Sequence, residues 1–585
     1  MRMNGSRMVC ESLVAEGVRV VFGLPGGAIM PLYDVLPQYP LKHILVRHEQ
    51  GAAHMADGYG RASGDVGVCM ATSGPGAINL VTGLANAMMD SAPVVAITAN
   101  VATAVIGSDA FQEADITGIS IPVTKHNFLV RDVQQLPQTI KEAFHLARTG
   151  RPGPVLVDIP KDVLQKEGEF SYPSKISMPG YNPTTQPNAV QVRKAARLIE
   201  EAQRPVIIAG HGVLISKAWD ELRELAEKHR IPVINTLLGL SNFPGNHELY
   251  LGMMGMHGTA YACYAVDQAD LVIGVGIRFD DRAMGKYSAF APRAKVIHID
   301  IDPAEIGKNV RTDVPIVADC KPALQGLLRE IGECGDRSQW FEQIAEWRRQ
   351  YPLPEPPSDG RLSHRHVIRE LWRATQGKSI IVTDVGQHQM FMGQEYPFLT
   401  PNSHISSGGL GTMGFSLPAA IGARFARPEE TLWCCAGDGG FQMTSQELAV
   451  MKIHKLNMKV ALFNNHFLGM VRQWQQLFYQ GNYVEVDLSG PPDYVKLADA
   501  YGIPAWSVED PSQVGEAIQR AMAQPGPALI EFLVDPYENI FPMVVPGTAL
   551  AEVIPFETHP GSNDGQQPVH IQPGNQPVPV PGLRH

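Results

Sequence analysis

The chain has 585 residues, too many for a single hydrophobic core and enough for about three or four domains, with 44% hydrophobic and 18% charged residues in an ordinary globular balance. Forty-eight basic against 59 acidic side chains give a net charge of -11, and no Lys/Arg cluster offsets it, which argues against a nucleic-acid partner. Seven cysteines without CxxC spacing argue against a disulfide framework or a thiolate metal site and fit reduced, mostly buried thiols in a cytoplasmic protein.

In chain order, residues 1–18 read as an amphipathic helix interrupted by Glu11 and Glu16, not as a secretion signal. The apolar runs 18–22, 41–46, 66–71 and 94–97 are predicted strands, with helices over 29–36 and 77–89, an alternation that predicts a parallel sheet covered on both faces. The longest apolar run, 92–106, is broken by Pro93, Thr98, Asn100 and Thr103 and is too short and polar to span a bilayer, so no membrane is expected. The first three strands each end in a distinctive turn: Gly23-Leu24-Pro25-Gly26-Gly27, then Arg47-His48-Glu49-Gln50 at a helix start, then Thr72-Ser73-Gly74-Pro75-Gly76. Taken alone, Glu49 in a first helical turn is explained by the helix dipole, and Arg151 and Lys161 read equally well as solvated cations.

Residues 167–188, rich in Pro, Ser, Gly and Thr without period, form a linker, and the proline-rich 351–361 a second, semi-rigid one. They divide the chain into α/β domains at 1–166, 189–350 and 362–550, each with a parallel sheet flanked by helices. The tail 551–585 is Pro/Gly-rich and is expected to be disordered or draped from Glu557. In the middle domain, strands at 205–210, 232–235, 271–274 and 296–300 suggest a Rossmann-like sheet. Gly210-His211-Gly212 is a weak glycine match, whereas the glycine-rich loop 251–258 and the run Gly276-Ile277-Arg278-Phe279-Asp280-Asp281-Arg282 are stronger signals. The Asp280-Asp281 pair alone could be two solvated loop charges.

In the last third, a strand over 379–384 leads to Gly386-Gln387-His388, and 406–414 opens a helix reaching residue 425. Met413, by itself, is a gap-filling core residue. The apolar run 433–436 closes on Gly437-Asp438-Gly439-Gly440, a tight turn where missing Cβ atoms let backbone amides approach an anion such as a diphosphate. A second apolar run ends at Asn464-Asn465, so Asp438 and Asn465 emerge at the carboxyl edge of neighbouring strands, where open α/β sheets bind ligands. Two hard oxygen ligands together with phosphate oxygens suit Mg²⁺.

A Gly-Asp-Gly turn followed by a helix and a strand closing on Asn-Asn resembles the thiamin diphosphate (ThDP) enzymes. Within them, the run 468–474, the RHEQGAAHMADGYGR segment around Glu49 and the run 106–113 are similar to the acetohydroxyacid synthases, also called acetolactate synthases, with a likeness extending over about residues 4–550. The resemblance implies that Glu49 hydrogen-bonds N1′ of the aminopyrimidine and favours its imino tautomer, so that the 4′-nitrogen can take the proton from thiazolium C2. Gly27 would place an amide near a developing oxyanion. Phe111 and Gln112 would line the site beside the first substrate, and Lys161 would approach from a neighbouring subunit. Arg278 would fork a 2-ketoacid carboxylate, and Trp474, on one helical face with Met470, would narrow the acceptor pocket. Gln387 and His388 would meet the diphosphate and Met413 would prop the bent coenzyme. Gly437, Asp438, Gly439, Gly440, Asn465, Gly469 and Met470 would complete its cradle, with Asp438, Asn465 and Phe467 on Mg²⁺.

The glycine loop and the RFDDR run resemble FAD-binding segments, which the catabolic, flavin-free acetolactate synthases do not keep. The same resemblance assigns FAD contacts to Arg151, Gly210, Gly212, Thr236 and Leu237, to Met256, His257 and Gly258, and to Gly276, Arg278, Asp300 and Asp319. FAD would be structural, since carboligation moves no net electrons. Pyruvate would lose CO₂ and its two-carbon remainder join a second 2-ketoacid, pyruvate or 2-ketobutyrate, giving 2-acetolactate or 2-aceto-2-hydroxybutyrate, the first common step of branched-chain amino-acid biosynthesis. The family further implies a homodimer or dimer of dimers with sites at the interface, and a regulatory small subunit in some members. Ala102 departs from the Pro of many members, in a loop at the substrate channel that bears on inhibitor response. The rival readings are a flavin-reducing ThDP oxidase, such as a pyruvate oxidase, and a catalytically silent binding protein on the same fold.

Overall fold

In the computed structural model, which describes residues 1–556, the strands form three six-stranded parallel sheets and one antiparallel ribbon. The ribbon pairs β1 (Arg2–Asn4) with the strand Glu167–Glu169. The first sheet holds β2 (Val20–Gly23), β3 (Lys42–Leu45), β4 (Gly67–Ala71), β5 (Val94–Asn100), β6 (His126–Leu129) and β7 (Val155–Pro160), in the order β3-β2-β4-β5-β7-β6. After β8 (Glu167–Glu169) come β9 (Pro205–Ala209), β10 (Val233–Asn235), β11 (Tyr250–Met253), β12 (Leu271–Val275), β13 (Lys295–Asp300) and β14 (Val314–Val317), ordered β11-β10-β9-β12-β13-β14. The third sheet holds β15 (Ile380–Thr383), β16 (His404–Ser406), β17 (Leu432–Gly437), β18 (Lys459–Asn464), β19 (Ala505–Val508) and β20 (Ala528–Leu533), ordered β16-β15-β17-β18-β20-β19.

The first and third sheets therefore share one winding, while the middle one has the 3-2-1-4-5-6 order of doubly wound dinucleotide-binding sheets. In all three, the order reverses beside the first strand of the sheet, which opens a crevice at the strand carboxyl ends. The central strands are buried along their whole length and read as continuous apolar runs, as parallel sheets covered on both faces require.

Several predicted elements need correction. Residues 1–18 are β1 followed by the helix Gly5–Ala15, and the 167–188 linker begins with β8, which closes the ribbon with β1. The helix predicted over 77–89 is two helices, Pro75–Asn79 and Val81–Asp90. Residues 251–253 of the predicted glycine loop belong to β11, and the helix expected to open by residue 414 is Ser416–Ala426. Residues from Glu557, the tail expected to be disordered or draped, lie outside the described residues.

A pair of helices joins the first and third units. The helix Glu49–Ser63 packs directly on the helix Ser416–Ala426, and small residues set the spacing: a Cβ on Gly58 would collide with the backbone of Ala419, and one on Gly422 with that of Met55. Met55 and Ile421 in this shared core are fully buried, each worth about 1.5–3 kcal/mol of apolar transfer. The contact fixes Glu49 relative to the third sheet.

Candidate active site

The first sheet supplies one half of the site. Glu49, 5% exposed, opens its helix, and its Oε2 accepts a hydrogen bond from Asn79 Nδ2 at 2.9 Å. His48 caps the same helix, its Nδ1 accepting from the Gln50 N–H at 3.1 Å. Thr72, at the end of β4, is the post around which the turns are wrapped: its hydroxyl accepts from the Ala28 N–H at 3.3 Å, and Gly26 and Gly76 press against its side chain where a Cβ would not fit. Gly27 is exposed, with open space where a Cβ would stand. Gln112, in the left-handed region at φ 59°, lays its backbone against Gly74, while Phe111 beside it is 88% exposed. Lys161 opens the short helix Lys161–Gln165 after β7.

The third and second sheets supply the other half, a cavity of about 790 Å³. At the switch point between β15 and β17 it is lined by Gln387, His388, Met413 and the turn Gly437 to Gly440. The His388 ring stacks on Phe463 at 6.0 Å, and burial pushes its imidazole down to about 3, so the ring is neutral. Its Nε2 is buried without a hydrogen-bond partner. A Cβ on Gly437 would stand 3.1 Å from that ring. Asp438, 3% exposed, opens the helix Asp438–Thr444, and burial, with the charge of Glu531 adding, pushes its carboxyl up to about 7. Asn465 follows β18 on the same wall; its Oδ1 accepts from the Phe467 N–H at 3.0 Å, and its Nδ2 donates to Gln387 Oε1 at 3.3 Å. Gln387 is committed further, donating to Gln473 Oε1 at 2.8 Å and to the Glu538 carbonyl at 3.0 Å, so it orients Asn465 as well as lining the cavity. Gly469 leaves the room this pair needs, since a Cβ there would meet both side chains.

These residues fit a diphosphate with its divalent cation. An orphaned imidazole nitrogen and a glycine turn suit phosphate oxygens, and a buried carboxyl held away from ionisation by desolvation is the group a cation would bring back to its charged form. Among the described residues no cluster of three or more His, Cys, Asp or Glu side chains could hold a metal, so a cation here would combine the single Asp438 carboxylate with amide, carbonyl and phosphate oxygens, and Phe467 could offer only its backbone carbonyl.

The same cavity runs to the switch point of the middle sheet. Gly210 and Gly212 donate backbone N–H bonds to Val275 O at 2.9 Å and Gly276 O at 3.1 Å, bringing the turn after β9 against that after β12. Asp300, at the end of β13, is buried and its carboxyl is pushed up to about 7 by that burial. Asp319 caps the helix Cys320–Glu330 and also accepts the Ser216 hydroxyl. Thr236, Leu237, Met256 and His257 complete this part of the wall; Gly258 does not reach it and is packed against the backbone of Met253 and Met254 instead. Arg151 arrives from the first unit, donating to Ser91 Oγ at 2.9 Å and Glu305 Oε1 at 2.8 Å. Strand order, the glycine crossing and the residues lining this end of the cavity together fit a dinucleotide. Between the two ends, Arg278 faces the cavity with its nearest carboxylate, Asp280, 3.9 Å away. Met470 and Trp474 line it from one face of the helix Gly469–Phe478, as their spacing predicts, and the Arg282 guanidinium lies 5.8 Å over the indole.

The structure thus brings together the expected diphosphate, cation, dinucleotide and acceptor residues, Gly258 excepted, but Glu49, Gly27, Phe111, Gln112 and Lys161 do not line that cavity. Three supporting residues were not foreseen. Asn79 orients Glu49. Asp384, fully buried after β15, accepts from the N–H groups of Val385, Gly414 and Ser416 and from the Ser416 hydroxyl at 2.8–3.0 Å, tying the Met413 loop to the sheet. Glu447 accepts from the N–H of Arg47, 400 residues away in sequence, a pairing that no local pattern announces.

Comparison with known proteins gives three family matches: thiamine pyrophosphate enzyme, N-terminal TPP binding domain, over residues 3–119; central domain over 192–327; and C-terminal TPP binding domain over 384–532. The chain is 50% identical over 564 residues to the acetolactate synthase of Mycobacterium bovis, covering 94% of this chain and 91% of that one. It is 46% identical over 583 residues to a probable acetolactate synthase large subunit of Methanocaldococcus jannaschii, covering 98% and 96%. To the Escherichia coli acetolactate synthase isozyme 3 large subunit it is 43% identical over 563 residues, covering 94% and 98%.

Proposed function

The chain belongs to the acetolactate synthase large subunits of the thiamine pyrophosphate enzymes, and from that membership we propose that it condenses pyruvate with a second 2-ketoacid, with loss of CO₂. Pyruvate as acceptor gives 2-acetolactate and 2-ketobutyrate gives 2-aceto-2-hydroxybutyrate, the entry to branched-chain amino-acid biosynthesis. ThDP, when bound, supplies the carbon nucleophile and the electron sink for decarboxylation. Asp438, Asn465 and the Phe467 carbonyl would hold Mg²⁺ against the diphosphate, with His388 Nε2 and the Gly437 to Gly440 turn around it. Glu49 holds a proton at N1′ of the pyrimidine. Arg278, whose nearest carboxylate is Asp280 at 3.9 Å, receives the carboxylate of the 2-ketoacid, and Trp474 bounds the acceptor's alkyl group, where one methylene is worth only about 1–3 kcal/mol. FAD would lie along the middle-sheet glycine crossing from Arg151 to Asp300 in a structural role.

The observation that best supports this reading is the separation of the two halves. Glu49 and its neighbours form one surface and the Asp438 cavity another, so a complete site needs two copies of the chain, each supplying one half. Phe111, at 88% exposure, suits a position covered by a partner. The same reading takes residues 1–166, 189–350 and 362–550 as the three domains and places the protein in the cytoplasm; no helix among the described residues is long and apolar enough to cross a membrane. The term large subunit in the relatives' names supports a smaller partner for this chain.

Incubation with pyruvate, ThDP, Mg²⁺ and FAD, with and without 2-ketobutyrate, tests the proposal. The expected products are the acetohydroxyacids and CO₂ without oxygen uptake. Peroxide with acetate, or no turnover, would overturn it.

A further inference from the structure

The turn that presents Glu49 is gripped by a carboxylate from the other end of the molecule. Glu447 closes the 3-10 turn Ser445–Glu447, is fully buried, and does not line the cavity. Its Oε1 accepts from the N–H groups of both Arg47 and His48, at 3.0 and 3.1 Å, the two residues immediately before Glu49. Gly51 makes the approach feasible, since a Cβ there would stand 2.7 Å from the same oxygen. The helix does not need this carboxylate for its cap, because His48 already supplies one to Gln50.

The arrangement is costly. The second oxygen, Oε2, is buried with no hydrogen-bond partner, and burial pushes the carboxyl up to about 7. What it secures is the backbone direction of residues 47 and 48, and with it the aim of the Glu49 side chain. Glu447 lies at the end of the segment that begins with Asp438, so it ties the 47–49 turn to the third unit of its own chain. Resting on the reading of Glu49 given above, we propose that Glu447 is a positioning residue for Glu49, holding the 47–49 turn in the register that points its carboxyl at the pyrimidine.

Two variants separate this geometric role from a charge or proton-carrying one. Glu447→Gln keeps the reach and the accepting oxygen but loses the charge; Glu447→Asp keeps the charge and withdraws the acceptor by one methylene. Both are read by amide hydrogen exchange across residues 44–53 of the coenzyme-free protein, by ThDP affinity, and by steady-state kinetics. The Asp variant is expected to exchange faster at residues 47 and 48 and to lose about 10- to 100-fold in kcat, the scale of a 1 Å misplacement, with KM for pyruvate and ThDP affinity nearly unchanged. The Gln variant is expected to match the parent in exchange and rate. An Asp variant with parental exchange, or a Gln variant as slow as the Asp one, would overturn the proposal. The exchange measurement uses no substrate, so it tests the grip on the turn even where the parent forms no acetolactate, an outcome that would instead remove the function proposed above.

Discussion

Glu49 is buried and held from within the protein. Asn79 orients one carboxylate oxygen and the Thr72 turn backs the other, with Gly76 leaving room. Replacing it with Gln keeps an oxygen for Asn79 and the size of the side chain, but the neutral amide cannot take up or hold the N1′ proton. Glu49→Gln is therefore expected to lower kcat by about 10²- to 10⁴-fold, the range for loss of a positioned acid or base, with unchanged thermal midpoint and unchanged Mg²⁺-dependent ThDP binding. Near-parental turnover in that variant would dismiss the assigned role. At this scale Asp438 and Asn465 stand out in the sequence because they sit in short motifs at strand ends, whereas Glu49 stands out only through the family resemblance, since a Glu in a first helical turn is explained by the helix dipole. Asn79, Asp384 and Glu447 do not, because each acts through bonds to residues remote in sequence, and a single Asn, Asp or Glu carries no mark of its partner.

At the scale of elements, the strands missed from sequence are mostly those at sheet edges. β6, β11, β14, β16 and β19 each have one neighbour only and are three or four residues long; all but β16 are partly exposed, β14 carries Pro315, and β16 is a buried His-Ile-Ser with a single apolar residue, so no continuous apolar run announces them. β7 is an interior strand, and its apolar run is broken by Asp158. That aspartate is fully buried opposite Thr98 on β5, accepts from Thr98 Oγ1 at 2.7 Å and Asn100 Nδ2 at 2.6 Å, and burial raises its carboxyl from 3.8 to about 6. Because the folded value is the higher one, its contribution to stability is fully present below pH 3.8 and is lost as pH rises through about 6. The expected consequence is that the difference in unfolding free energy between Asp158→Asn and the parent, read from denaturant unfolding, moves in the variant's favour as pH rises from about 4 to 6.5, on the order of 3 kcal/mol in all, and is flat above that. A difference independent of pH would show that Asp158 stays ionised in the fold.

The middle sheet makes a second prediction. Gly276 has φ 59° and lies so near Gly212 that a Cβ would stand 2.6 Å from its Cα. Gly276→Ala must therefore spread the two turns at the switch point, with a strain of about 1–3 kcal/mol. Weaker flavin retention on gel filtration, with little loss of ThDP binding, is expected; full flavin content would show that the dinucleotide does not use this crossing.

At the scale of the molecule, fold class and the run of three α/β units followed from alternating strands and helices, but the division of the site between two surfaces did not, since one sequence cannot say which copy of a residue completes a cavity. A two-fold dimer in which each centre takes Glu49 from one chain and Asp438 from the other makes a sharp statement about mixed subunits. Homodimers of Glu49→Gln and of Asp438→Asn should both be nearly inactive, for every centre carries one defect. A heterodimer of the two gathers both defects into one centre and leaves the other with an intact Glu49 and an intact Asp438. Random pairing makes half of the dimers mixed, each with one working centre of two, so co-expressed variants should recover about a quarter of parental activity. Were Glu49 and Asp438 of the same chain to form a centre, every chain in the mixture would still carry a defect and no activity would return, so the size of the recovery decides between the two arrangements directly.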